Sequence, residues 1–260
     1  MIPKAEEISD NVDYGMTSYF MSYYFPSNKL ERFSHLETEQ NQRFRSWLLL
    51  FKDLVKNNEI KKDYLDTVEF KLFKIMLKQF IKRRILKSSF NRVNKIGLIN
   101  IPGHIKYTEC NHNAISLIIR NLCYGNGLYV DMTNIIFRSE TIQKGSRDSD
   151  INFKSLAWFR KGLNRIKEIR LDYIIVVDDV CTSGSSALAM FEKIQEHYFE
   201  MSENNAVKFF SFGKTLSEEE ILKNNFSDPS KEIFLPEISR TGNYTKADKE
   251  KFKSSLLNIK

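Results

Sequence analysis

The apolar positions of this chain recur at two spacings, one suited to buried strands and one to helices. Residues 174–186 read Ile-Ile-Val-Val-Asp-Asp-Val-Cys-Thr-Ser-Gly-Ser-Ser. Four leading apolar, β-branched side chains flanked by polar ones predict a short strand buried on both faces, the kind a parallel sheet uses. From Ala187 onward Leu188, Phe191 and Ile194 fall at helical spacing, so residues 180–186 are expected to form a tight loop that turns the strand into a helix. Further strands are expected at residues 96–101, 134–137, 207–212 and 233–235, the last ended by Pro236. A crossover helix is expected over residues 114–122, stopped by Gly125-Asn126-Gly127, and a charged helix near 217–222.

The N-terminal third has a different pattern. Residues 44–55, with Trp47, Leu48, Leu50, Phe51 and Leu54, predict a helix. Between Lys61 and Lys95 a long amphipathic helix is expected: Val68, Leu72, Ile75 or Met76, Gln79 and Arg83 trace one stripe, with Phe73, Leu77, Phe80 and Ile81 beside it. Tyr14, Tyr19, Phe20, Tyr23, Tyr24 and Phe25 make an aromatic start that Pro26 interrupts. Core packing is their expected use, with base stacking as the alternative. The pattern as a whole predicts an α/β fold with a doubly wound, mainly parallel sheet over residues 93–260 and a helical, basic N-terminal region over residues 1–92.

Composition changes this picture in three ways. The 260 residues are 42% hydrophobic, enough for a sizeable domain with a smaller appendage. The net charge of +7 is concentrated, since residues 61–95 hold eleven Lys or Arg against Asp63, Asp66 and Glu69, a local excess of +8. That face reads either as a solvated lysine-rich surface or as an electrostatic footprint for nucleic acid or a protein partner. Thirdly, Cys110, Cys123 and Cys181 are scattered without CxxC spacing, against a disulfide framework and a zinc site. With no run of eighteen apolar residues and a first stretch, MIPKAEEISD, that has neither basic start nor apolar core, the expectation is a cytoplasmic protein off the membrane. A homo-oligomer is left open.

The candidate chemistry lies where the central strand ends. A helix N-terminus offers unpaired N–H groups and the positive end of a dipole; Thr182, Ser183, Ser185 and Ser186 add hydroxyls, and Gly184 permits close backbone approach. No Lys precedes the Ser or Thr as in a Walker A loop, and three spaced glycines are missing. Two carboxylates, Asp178 and Asp179, beside a phosphate cradle suit adjacent hydroxyls, or a hard cation through water. A ribose 5-phosphate has both features. The alternative is a surface turn capped by Ser and Thr.

This stretch, apolar run, Asp-Asp, Val180, Cys181, then Thr-Ser-Gly-Ser-Ser, resembles the phosphoribosyl pyrophosphate (PRPP) loop of type I phosphoribosyltransferases, with Cys181 departing from the usual aliphatic residue. The resemblance implies that Asp178 and Asp179 meet the ribose 2- and 3-hydroxyls, that Thr182 to Ser186 wrap the 5-phosphate, and that Mg2+ accompanies PRPP. It also implies a pyrophosphate loop at Pro102, Gly103 and His104, after the strand expected at 96–101. Residues 138–160, where the apolar pattern lapses, would then be a mobile lid carrying Arg138, Lys144 and Arg147. The order Arg138, Thr141, Gln143, Arg147 and the pair Asn111 and Ala114 are loosely similar to the ComF-type subgroup, whose cysteine-rich zinc element is missing here. Solvated loop charges are the alternative for Arg138 and Arg147. The implied activity is transfer of a phosphoribosyl group to a base or related acceptor with release of pyrophosphate. The competing expectation is a non-catalytic module that senses PRPP or a nucleotide and uses the basic segment on nucleic acid or a partner, as in an effector of bacterial defence or stress.

Overall fold

The computed structural model describes residues 6–7, 17–24, 39–56, 59–86, 93–106, 113–143, 149–197 and 207–215. Its N-terminal elements are β1 (Glu6–Glu7), β2 (Thr17–Tyr23), α1 (Glu39–Lys52), the short pair β3 (Val55–Lys56) and β4 (Glu59–Ile60), and α2 (Val68–Phe80), which runs into a π-helical turn at Ile81–Leu86. There follow β5 (Ile96–Asn100), α3 (Ala114–Cys123), β6 (Tyr129–Asp131), β7 (Ile136–Arg138), α4 (Ser149–Lys154), β8 (Leu156–Trp158) and α5 (Arg160–Lys167). The last are β9 (Tyr173–Cys181), α6 (Ser185–Gln195) and β10 (Val207–Lys214).

Among the described residues six strands form one sheet in the order β1-β2-β10-β9-β5-β6. Five run parallel, and only β1 is antiparallel to its neighbour. The β-branched run of β9 occupies the middle, with Ile174, Ile175, Val176 and Val177 fully buried. Their alternation splits the core in two. Ile175 and Val177 join Ile96, Leu98, Phe210 and Phe212 under α1, α2 and α3. Ile174 and Val176 join Ile99, Val207 and Phe209 under α6 and the β7–β8 pair. Helices therefore cover both faces, which is why residues 174–177 of β9 are apolar without a break. Gly97 in β5 serves this packing: a Cβ there would collide with the Met132 thioether.

The N-terminal region departs from its expected helical character, because Thr17–Tyr23 is a strand of the central sheet, parallel to β10. Its helices share the core as well. Phe51 stacks on Phe73 at 4.4 Å, Phe73 meets Phe212 edge-on at 4.9 Å, and Phe80 stacks on Phe210 at 4.5 Å. The long helix expected over 61–95 is shorter, since Thr67 caps α2 by accepting from Phe70 N–H (3.3 Å).

Two further expectations are corrected. Residues 134–137 do not add to the main sheet: Asn134 turns with φ 63°, and Ile136–Arg138 pairs antiparallel with β8 in a separate two-stranded sheet. The strand that follows α3 in the main sheet is β6. The stretch 138–160 holds the last residue of β7, then α4 and β8, with residues 144–148 outside the described residues. The helix expected near 217–222 and the strand at 233–235 lie outside the described residues, as do Asn111 and Cys110. Cys123 and Cys181 are free thiols, and burial, with Asp131 adding to it, pushes the Cys123 thiol up to about 12. Among the described residues no helix is long and apolar enough to cross a membrane.

Candidate functional site

The chain leaves β5 to form β6 on one side of it and returns as β9 on the other. The carboxyl ends of β5 and β9 thus flank the point where strand order reverses, the place where open α/β sheets bind ligands. Asn100 pairs with Val177, and Ile101 N–H donates to the Val177 carbonyl at 3.0 Å. The turn Pro102-Gly103-His104 consequently emerges beside Asp178 and Asp179. Gly103 is exposed and His104 half-buried, with its carbonyl accepting from Ile142 N–H at 2.9 Å.

The loop after β9 is tighter than the sequence implies. Val180 and Cys181 still belong to the strand, paired with Gly213 and Lys214, and Cys181 is buried. Only Thr182, Ser183 and Gly184 turn the chain, and α6 begins at Ser185. Gly184 takes φ 79°, a left-handed conformation that glycine enters without steric cost. Thr182 and Ser183 are exposed. Ser183 Oγ lies 3.0 Å from Ser185 Oγ, and Ser185 is buried, while Ser186 is half-buried. Hydroxyls and main-chain N–H groups thus converge at the positive end of a helix of eleven residues.

The acids are held against their own backbone. Asp178 Oδ1 accepts from Asp179 N–H at 2.8 Å, and Asp179 Oδ1 accepts from Val180 N–H at 2.6 Å. Burial, then the neighbouring Asp179 charge, push the Asp178 carboxyl up to about 8 against the pull of the Asp179 N–H and of Lys52. The opposing charge comes from Lys52, the last residue of α1, whose Nζ lies 2.7 Å from Asp179 Oδ2. Burial, the largest single influence, would lower the Lys52 pKa, but the charge and hydrogen bond of Asp179 with the added pull of Tyr24 and Asp178 together outweigh it, and the net direction is up. The two carboxyls are therefore unequal: burial biases Asp178 toward its protonated form, and the second oxygen of Asp179 meets an ammonium.

Arg138 is not on a mobile loop. It is the last residue of β7 and is 2% exposed. Its guanidinium donates to the Gly103 carbonyl (3.2 Å), the Asn152 carbonyl (2.8 Å), Asn152 Oδ1 (3.0 Å) and Ser155 Oγ. Lys144 and Arg147 lie outside the described residues. Sequence reasoning missed Lys52 and Asn152, neither of which sits in a motif. Lys52 is one lysine among many at a helix end, and Asn152 signals itself only as an amide in a short polar stretch.

As to metal, no group of three or more His, Cys, Asp or Glu side chains stands together among the described residues. Two carboxylates fit magnesium as it is commonly held, by one or two acids with the rest of its shell from water and ligand phosphates. No protein-family model matches the chain, and no curated protein does. The site is therefore read on its own geometry.

Proposed function

We propose that this protein binds PRPP or a closely related ribose 5-phosphate at the carboxyl ends of β5 and β9 and transfers its phosphoribosyl group to an acceptor. A single observation carries the reading: a hydroxyl-rich helix N-terminus follows directly on a partly buried acid pair, at the point where strand order reverses, next to a second exposed turn. The 5-phosphate takes the Thr182 to Ser186 amides and hydroxyls. Asp178 and Asp179 each hydrogen-bond one of the ribose hydroxyls. The pyrophosphate end lies toward Pro102, Gly103 and His104. Asp178 and Asp179 are the residues that would hold magnesium, which supplies charge neutralisation at the leaving group when bound.

In the transfer, the bond from the anomeric carbon to a pyrophosphate oxygen breaks and its electron pair leaves with pyrophosphate. The acceptor nitrogen forms the new bond and loses its proton to solvent. The residues contribute orientation and stabilisation of the departing charge rather than a covalent intermediate. Calorimetric titration with PRPP and magnesium tests the site. Asp178→Asn and Asp179→Asn are each expected to weaken binding by roughly 10- to 100-fold, given one or two charge-assisted hydrogen bonds lost. Unchanged affinity in both sinks the reading. Release of pyrophosphate across a panel of bases then separates transferase from sensor, because a sensor binds PRPP and releases none.

A second reading concerns α2. Lys71, Lys74, Lys78 and Lys82 recur along one side of the helix, and burial together with the Lys78 charge lowers the Lys74 pKa, so the like charges crowd one another. The reading is of a polyanion surface for nucleic acid, expected to bind with affinity falling steeply as salt rises. A flat salt dependence returns these lysines to a solvated face.

A further inference from the structure

Arg138 carries a charge in a place where charges are rarely left. It is buried, and all four of its hydrogen-bond acceptors, the Gly103 and Asn152 carbonyls, Asn152 Oδ1 and Ser155 Oγ, are neutral. Burial pulls its pKa down only to about 10, so it stays protonated at neutral pH. Buried cations are ordinarily paired with a carboxylate, and no described carboxylate is among its partners.

Its position gives a reason. One edge of the guanidinium grips the carbonyl of Gly103, inside the turn after β5. The other grips Asn152 on α4, and the Asn152 side chain continues to the loop after β9: Nδ2 donates to Ser185 Oγ at 3.5 Å, and Oδ1 accepts from Ser186 Oγ at 3.3 Å. The two turns that flank the strand-order reversal are joined through these side chains, from Gly103 through Arg138 and Asn152 to the first residues of α6.

We propose that Arg138 and Asn152 form a positioning relay that couples the two anion loops, and that the Arg138 charge is balanced by the ligand's phosphate groups instead of by a protein acid. The proposal rests on the phosphoribosyl reading above. Filling either loop fixes one end of the relay and, through a rigid planar fork, sets the geometry of the other. Pyrophosphate and ribose 5-phosphate then each bind more tightly when the other is present, by the same factor in both directions.

The test uses the full chain with magnesium, and titrates ribose 5-phosphate with and without saturating pyrophosphate, then the reverse. In the wild type each anion is expected to tighten the other by about tenfold, a common size for coupling between sites. Asn152→Ala cuts the relay and leaves the Arg138 charge; Arg138→Lys keeps the charge and loses the fork. In both the coupling is expected to fall to near one, with each single-anion affinity falling by less than that factor. Arg138→Gln removes charge and fork together and is expected to lower the single-anion affinities about tenfold as well. Coupling that survives Asn152→Ala and Arg138→Lys, or that is missing from a wild type that binds both anions, overturns the relay. Single-anion affinities unmoved by Arg138→Gln overturn the charge role. A wild type that binds neither anion removes the phosphoribosyl reading itself, and the relay with it.

Discussion

Asp178 is the residue whose environment departs most from that of an ordinary surface acid. Its folded pKa of about 8 lies well above the unfolded value of about 3.9, so the folded chain holds this proton more tightly than the unfolded one. The resulting stabilisation is complete below about pH 4 and is lost as pH rises towards 8. Asp178→Asn removes the titration, so the wild type is expected to lose stability relative to the variant by up to about 1.4 kcal/mol per pH unit as pH rises from about 4 towards 8. Thermal melts across that range check it, and a gap independent of pH would show that Asp178 ionises normally. Lys52 lies opposite. Both partners of its ion pair keep substantial exposure, so Lys52→Met is expected to change stability by less than about 1 kcal/mol. With the ammonium gone the two acids stand unopposed, and magnesium titrations are expected to show affinity raised about fivefold. The acid pair was legible because the run of residues around it, from Ile174 to Ser186, spells it out. Lys52 was not, because its relation to Asp179 exists only once α1 lies across the end of β9.

At the scale of elements, β9 and β10 were legible and β6 was not. β9 carries the apolar run of residues 174–177 and β10 the large apolar residues Val207, Phe209, Phe210 and Phe212, whereas Tyr129–Asp131 is three residues long and presents only one buried side chain. The polar stretch 138–160 misled for a different reason. Its order comes from buried hydrogen bonds among Arg138, Asn152 and Ser155, and a hydropathy pattern gives buried polar groups no weight. The turn between β9 and α6 depends on Gly184. A Cβ there would touch nothing, so Gly184→Ala costs only its left-handed backbone, about 1 kcal/mol. Denaturant midpoints are expected to show that loss, and phosphate affinity is expected to drop with it as the loop relaxes from its φ of 79°. A variant as stable as the wild type would place the strain elsewhere.

The whole molecule is held by one face of the sheet more than by the other. Phe44, Trp47, Phe51, Phe73 and Phe80 from α1 and α2 cover Phe210 and Phe212, so the helices before residue 92 are the roof of the α/β core. Composition alone could not reveal this, since an apolar helix stripe does not name the surface that it covers. A fragment of residues 93–260 is expected to lose cooperative melting and to aggregate, because Phe210, Phe212, Ile175 and Val177 would face water. A sharp thermal transition from that fragment would show that the core closes without its roof.

The pairing of β2 with β10 has a consequence for biosynthesis. Phe20 meets Ser211, a partner that leaves the ribosome about 190 residues later. Until then β2 has only the two residues of β1 beside it, and the aromatic helices that follow it lack Phe210 and Phe212 to pack on. Such distant closure makes folding slow and exposes sticky surface during translation. The newborn chain is therefore expected to linger on holding chaperones until β10 is complete.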